Sequence, residues 1–391
     1  MDLSWTPEQK ALRRELASWI VANRTWDAEE GVPHFADLGE EVEWLREWQR
    51  RLAAARWVGV WWPPEYGGRG TGPAEHYLVQ EELATAGAPD LLGRIGVNMA
   101  GPTLLRHGTV SQRARWLPGI LSADHLFCQL FSEPDAGSDL ASLRTKAQRV
   151  DGGWLLTGRK VWTSYAQFAD WGLCLARTDP GAPKQKGISY LVVDMHSPDV
   201  EVRPLRQITG EAEFNEVIMD HVFVPDENLI GEENHGWSVA RSTLSHERGT
   251  SPRQLVKHIQ QVDELVRVAI RGGQLSDPVL AQRVAQAFID VKIFQLYNWR
   301  TLSRLERGQD PGPESSLIKL FWSERTKTIH DSMLAVLGPA APLWYGARDN
   351  PGDGDWQRDF LYYRAASIFA GTSEVQRNII GETILGLPRG S

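Results

Sequence analysis

The spacing of apolar residues changes twice along this chain, and those changes restrict the possible folds more than any single motif does. In residues 7–24, Leu12, Leu16, Trp19 and Ile20 return on one helical face, and Pro7 suits a first-turn position. The spacing predicts a second helix over 38–56, with Val42, Leu45, Trp48, Leu52 and Ala55 as its inner stripe, and further helices over 73–87 and 89–106. From about residue 126 the pattern becomes short β-branched or aromatic runs: 143–150, 153–157, 171–177, 187–194, 200–205 and 214–224. Asp151-Gly152-Gly153, Asp179-Pro180-Gly181 and Ser197-Pro198-Asp199 separate them as turns. No helical repeat lies between these runs, which disfavours a doubly wound sheet and predicts a compact antiparallel one. After Gly236 the helical period returns. Residues 237–271 read as one long helix with Pro252 marking a kink or boundary. Leu280 to Asn298 and residues 314–337 carry further stripes, so a four-helix bundle is the economical architecture. The expected fold class is α+β: a helical domain over 1–125, a β domain over 126–233 and a helical bundle domain over 234–391.

Charge and composition exclude several functions. Lys and Arg number 42 against 50 Asp and Glu, a net charge of −8, which argues against general nucleic-acid binding because that task needs a positive surface field. Cys128 and Cys174 are the only cysteines, too few for a Cys-rich metal site, and they read as reduced core thiols. The start, Met1-Asp2-Leu3-Ser4-Trp5, lacks a basic segment followed by an apolar run, and no stretch has the length of a membrane span; the expectation is a cytoplasmic protein. The 17 tryptophans read first as packing residues. Signatures such as HExxH, GxSxG and the P-loop are absent, and the ten histidines form no ligand cluster, so no metal is expected.

One pair of segments stands apart: Ser132-Glu133-Pro134-Asp135-Ala136-Gly137-Ser138-Asp139 and Gly158-Arg159-Lys160-Val161-Trp162-Thr163-Ser164. Read alone they are turns framing strands. Their hydroxyls and Trp162 also suit a flat heteroaromatic ligand, which needs rigid apolar area with a few placed donors. With Gly231–Trp237 and the terminal block Phe369-Ala370-Gly371-Thr372-Ser373-Glu374-Val375-Gln376-Arg377-Asn378-Ile379-Ile380, these segments resemble the acyl-CoA dehydrogenase family over essentially the whole chain.

The resemblance implies FAD as cofactor, an acyl-CoA thioester as substrate and an electron-transferring flavoprotein as electron acceptor. Ser132, Trp162 and Ser164 match residues around the flavin ring, Thr372 and Glu374 match contacts to its adenylate half, and Ser138 matches a residue near the phosphopantetheine. Ser245 and Arg248 are carried over as substrate-binding positions. Arg364 has at best a cofactor-adjacent or structural part, and Ser373-x-x-Gln376 also reads as a helix capping box.

The base is the informative departure. Many members carry glutamate immediately before the terminal Gly-Thr, whereas this chain has Ala370, which offers only its backbone N–H to a thioester carbonyl. A second arrangement, that of isovaleryl-CoA and long-chain members, places the glutamate before an arginine on the helix following the β domain. Glu247-Arg248 matches it, which assigns Glu247 as the base, while His246 points elsewhere on a helix. The small residue at 370 favours a branched, long or bulky acyl group. Two further elements depart from the family pattern, at 272–278 and 337–341, where contacts to a neighbouring subunit's FAD are usual. The assembly is therefore a homo-oligomer or an α2β2 hetero-oligomer with a homologous chain, as among actinobacterial steroid side-chain enzymes. The competing readings are a non-catalytic, cofactor-sharing partner subunit and a flavoenzyme acting on a carrier-protein thioester.

Overall fold

A computed structural model describes every residue except 1–3, 28–30, 36, 247–250, 310–311, 349–351, 353 and 389–391, and describes Ser245 and His246 as backbone only. The chain divides into two compact units. One is formed by Ser18–His76 and Gly87–Glu247, the other by Met1–Ala17, Tyr77–Ala86 and Arg248–Ser391.

Helices occupy the first third: α1 (Pro7–Asn23), α2 (Leu38–Ala54), α3 (Pro73–Thr85), α4 (Gly101–His107) and α5 (Val110–Ser122). Asp37 caps α2 by accepting from the Gly39 and Glu40 N–H groups, and Thr109 with Gln112 forms a reciprocal capping box on α5. The fully buried Gln49 of α2 donates to the carbonyls of Ile120 and Leu121 at 3.1 and 3.2 Å and accepts from the Gly93 N–H at 2.9 Å. The helix expected over 89–106 is instead a π-helical turn, Gly96–Ala100, running into α4. Gly101 is required where the two meet, because a Cβ there would lie 2.0 Å from the Trp62 ring. Trp48, Trp57, Trp62, Trp116 and Trp154 are fully buried, so these tryptophans are packing residues.

The sheet has seven strands: β1 (Phe127–Leu130), β2 (Lys146–Val150), β3 (Gly153–Ser164), β4 (Trp171–Arg177), β5 (Ile188–Asp194), β6 (Val200–Leu205) and β7 (Phe214–Pro225). Their order is β1-β4-β2-β3-β7-β6, with β5 paired to β4. The pairing is antiparallel except that β1 runs parallel to β4, and β2 meets β4 in parallel at Lys146 and Arg177. β3 does not stop at 157 but continues to Ser164, so the Gly158–Ser164 motif is strand rather than turn. Leu130, Trp154, Leu156, Cys174, Leu191, Val217 and Val222 form the core over one face. α6 (Gly236–His246) joins this unit through Thr243, whose hydroxyl lies 2.7 Å from that of Thr103 and 3.3 Å from that of Tyr190.

The helical unit contains α7 (Pro252–Arg271), α8 (Pro278–Leu305), α9 (Ser315–Leu337), α10 (Asp355–Tyr362) and α11 (Ser373–Ile379). The single helix expected over 237–271 is thus two, and Pro252 takes the first turn of the second, where a missing N–H costs nothing. Leu255, Leu265, Val291, Phe294, Ile329 and Met333 fill the space between α7, α8 and α9. A polar cluster crosses this core: Asp359 accepts from Lys257 Nζ at 2.9 Å and Gln261 Nε2 at 3.2 Å, and His330 stacks on Tyr363. Burial holds the neighbouring His258 imidazole neutral, pushing its pKa down to about 3. Among the described residues no helix is long and apolar enough to cross a membrane.

The most consequential contact inside the sheet unit is ionic. Lys160 of β3 is fully buried, and its Nζ donates to Glu133 Oε1 at 2.9 Å and to the carbonyls of Phe131 and Leu175 at 3.1 and 2.8 Å. Glu133 also accepts from the Arg144 N–H at 2.6 Å, the Thr145 N–H at 2.9 Å and the Thr145 hydroxyl at 2.6 Å. Burial alone would raise the Glu133 pKa; the Lys160 charge and these donors outweigh it and leave the carboxyl below its ordinary 4.5.

Two outcomes follow from this pair. Lys160→Met removes one partner and strands a buried carboxylate, so urea unfolding should show a loss of about 3–5 kcal/mol. Because the folded Glu133 pKa lies below 4.5, its contribution is complete above pH 4.5 and disappears as pH falls through the folded value. Wild type should therefore lose stability more steeply below pH 4.5 than Glu133→Gln does; parallel curves would contradict the assignment.

Candidate functional site

The sheet unit brings three of the expected cofactor residues onto one stretch of backbone. Ser132 follows β1, and its carbonyl accepts from the Val161 N–H at 2.9 Å, which sets Ser132 beside the residue preceding Trp162. Between Lys160 and Thr163 the pairing with β7 slips: Lys160 faces Val217 and Thr163 faces Asn215, so β3 carries one extra residue. Trp162 lies in this bulge with a left-handed φ of 61°, uncommon for a bulky side chain. The residue is 62% exposed, while its ring meets that of Phe214 edge-on, centroids 6.3 Å apart at 79°. Ser164, half-buried, ends β3 opposite Phe214.

Ser138 is exposed on the loop that follows the tight turn made by Glu133 and Ala136. The loop is anchored by Asp139, paired with Lys184 at 3.0 Å, and by Arg177, which donates to the carbonyls of Lys184 and Ala141 at 2.6 and 2.7 Å. Ser138 therefore lies on an anchored, exposed segment that follows Ser132 in the chain.

Ala370, Thr372 and Glu374 lie in the helical unit at the start of α11. Ala370 and Gly371 are consecutive left-handed residues, with φ of 53° and 90°. Fully buried Gln376 fixes this turn by donating through Nε2 to the carbonyls of Ala370 at 3.3 Å and Gly371 at 3.2 Å. Ala370 is exposed, and its N–H makes no hydrogen bond among the described residues. Thr372 rather than Ser373 caps α11, accepting from the Val375 N–H at 3.2 Å; this corrects the Ser373-x-x-Gln376 capping box. Ser373 is turned to Glu324, at 2.9 Å, and Glu374 is exposed with Arg377 at 3.4 Å. Arg364 spends its guanidinium on the carbonyls of Phe360 and Lys327 and on Asp331, a structural part.

Glu247 and Arg248 lie outside the described residues, and Ser245 is placed only as backbone near the end of α6. The departures at 272–278 and 337–341 are turns. Gly272 and Gly273 end α7 and Asp277 caps α8, accepting from the Val279 and Leu280 N–H groups, while Gly338 follows α9 with φ of 54°.

Sequence reading gives no part to three residues that shape these segments, Glu133, Lys160 and Asn215, and gives Gln376 only a place in a capping box. Lys160 carried a signal. It shares strand parity with Trp154 and Leu156, and a lysine on an inward-facing position requires a buried partner.

The side chains present fit a flat, hydrogen-bonding cofactor. An exposed indole held in a strained bulge offers a stacking face, Ser132 and Ser164 offer hydroxyls on the flanking backbone, and the buried Thr163 hydroxyl has no hydrogen-bond partner among the described residues. A flavin has that shape and that set of acceptors.

The comparisons with known proteins agree along the chain. The acyl-CoA dehydrogenase N-terminal, middle and C-terminal domain families match residues 6–124, 128–222 and 234–385. The chain is 37% identical over 396 residues to acyl-CoA dehydrogenase IpdE1 of Mycolicibacterium smegmatis, covering 98% of both proteins. The solved Tcur3481-Tcur3483 steroid ACAD superposes with a TM-score of 0.86 at 29% identity, covering 100% of both chains. The ChsE4-ChsE5 complex of Mycobacterium tuberculosis gives 0.83 at 30% identity, again over 100% of both. The chain belongs to the acyl-CoA dehydrogenase family of FAD-dependent oxidoreductases.

Proposed function

We propose that this chain dehydrogenates a bulky acyl-CoA between Cα and Cβ, with Glu247 as the base, and passes the electrons to an electron-transferring flavoprotein. FAD, when bound, supplies the hydride acceptor. Ser132, Trp162 and Ser164 would hold its ring, and Thr372 and Glu374 its adenylate half. Glu247 takes the proton from Cα, while the Ala370 N–H donates to the thioester carbonyl and stabilises the charge that builds on its oxygen. Ser138 lies near the thioester's phosphopantetheine arm, and Ser245 and Arg248 bind the substrate, Arg248 by orienting charge around the site.

The observation that carries this reading is residue 370. A methyl group stands where many relatives have the carboxylate, so the proton must go to another side chain, and Glu247-Arg248 is the pair matching the family's second arrangement. The same methyl leaves room beside Cα, and the similarity to a steroid ACAD supports a branched or polycyclic acyl group over a short straight one.

A hetero-oligomer is favoured over a homo-oligomer by the 272–278 and 337–341 segments, which lack the family's usual neighbour-FAD patterns, and by the similarity to ChsE4-ChsE5, itself a complex. The chain purified alone should then hold well under one FAD, read from absorbance at about 370 and 450 nm, and coexpression with a homologous partner should restore it. One FAD per chain in a stable homo-oligomer would overturn the mixed assembly.

Glu247→Gln keeps volume and hydrogen bonding while removing the base. In anaerobic stopped-flow with a turned-over acyl-CoA, bleaching of the flavin band should slow roughly 10²–10⁴-fold, with FAD content unchanged. Adding Ala370→Glu to that variant should restore part of the rate, since the family uses either position. Wild-type reduction by Glu247→Gln would remove it as the base.

A further inference from the structure

We propose that Asn215 is a positioning residue that holds the β3 bulge in the shape presenting the Trp162 ring to the flavin. This rests on the reading of Trp162 as the flavin's aromatic flank. A tryptophan at φ 61° occupies a region that costs free energy for any residue bearing a Cβ, and an exposed indole recovers little of it by burial. Something adjacent must hold the backbone there.

Asn215 is fully buried on β7, directly opposite Thr163. Its Nδ2 donates across the strands to the Thr163 carbonyl at 3.1 Å, to the Glu213 carbonyl at 3.2 Å, and to Gln167 Oε1. Gln167 in turn donates to the Ala212 carbonyl at 3.1 Å, and Tyr165, the next left-handed residue, donates its N–H to the Glu213 carbonyl at 2.8 Å. The bulge is thus fastened on its C-terminal side by one amide group that reaches the backbone immediately after Trp162. Phe214, the neighbour of Asn215, supplies the edge contact that limits the indole's tilt. An apolar residue at 215 would remove the side-chain bonds to the Thr163 and Glu213 carbonyls and to Gln167, and free the bulge to relax toward ordinary extended backbone, carrying the indole with it.

The test is a double-mutant cycle in the full-length chain, deflavinated and titrated with FAD by quenching of flavin fluorescence, with the partner subunit present if assembly requires it. Trp162→Ala and Asn215→Leu should each weaken FAD binding about tenfold or more, as loss of one stacked aromatic does. The double variant should match Trp162→Ala within about threefold, because Asn215 acts through the indole. Losses that multiply to about a hundredfold would overturn the positioning role. Unchanged binding by Trp162→Ala would instead overturn the reading of Trp162 itself. A readout without FAD is thermal unfolding of the apoprotein: Asn215→Leu should lower Tm less when residue 162 is glycine, which tolerates positive φ, than when it is tryptophan. Equal drops overturn the proposal. Asn215→Ser, shorter but still a donor, is the milder variant for the same cycle if Asn215→Leu does not fold.

Discussion

The buried pair of Glu133 and Lys160 fixes the geometry of the expected cofactor segment. Taking two charges out of water is costly, and their attraction offsets that cost only when the remaining donors and acceptors are also satisfied. Here they are: all three Lys160 protons have partners, and both Glu133 oxygens accept. Those partners come from the end of β1, the lead into β2, the middle of β3 and the body of β4, so one ion pair sets four strands against each other. Ser132 lies between two of the contacting residues, Phe131 and Glu133, and Trp162 is two residues beyond Lys160. The residues expected to face the cofactor are therefore flanked by residues held in the buried ion-pair network.

That arrangement explains what could be read from the chain and what could not. β6 and β7 were legible to within a residue because apolar alternation and flanking turns agree there. β1 was missed as a strand because Phe127–Leu130 is too short to show a period, and it gains its place only by lying parallel to β4. The second half of β3 was missed because Gly158-Arg159-Lys160 looks like a polar turn, and only the distant Glu133 makes a lysine acceptable inside. α5 was overlooked for a local reason: Pro118-Gly119 interrupts its pattern, yet it falls late enough in the helix to be carried by packing around Trp116. Pro252, by contrast, announced the break between α6 and α7 correctly, since proline's preference for a first helical turn needs no tertiary information.

Strain is distributed unevenly over the described residues. Seven non-glycine residues have positive φ. Arg56 and Ala123 follow helix ends and His221 lies where β7 bulges against β3, places where such backbone is routine. Trp162 and Ala370 are different. Each is exposed and has a buried amide side chain bonded to the backbone beside it, Asn215 for the first and Gln376 for the second. Strained, exposed and clamped from beneath is the pattern expected of residues whose conformation serves a ligand rather than the core.

Ala370 sharpens this argument. If the turn had no function beyond chain reversal, glycine would be the cheaper residue, since a Cβ in left-handed backbone costs energy that glycine avoids. If the residue served only as a base, losing the carboxylate would leave no reason to keep the conformation. Yet the turn retains left-handed backbone, the Gln376 clamp and an N–H without a protein partner among the described residues. A Cβ at Gly371 would lie 2.4 Å from Gln376 Nε2, so the clamp and the small neighbouring residue require each other. The two tasks thus separate physically: the backbone donor depends on the turn and the Gln376 clamp, neither of which uses the side chain at 370. On the proposed reading, that separability is what allows the base to move to Glu247 while the thioester carbonyl keeps its donor.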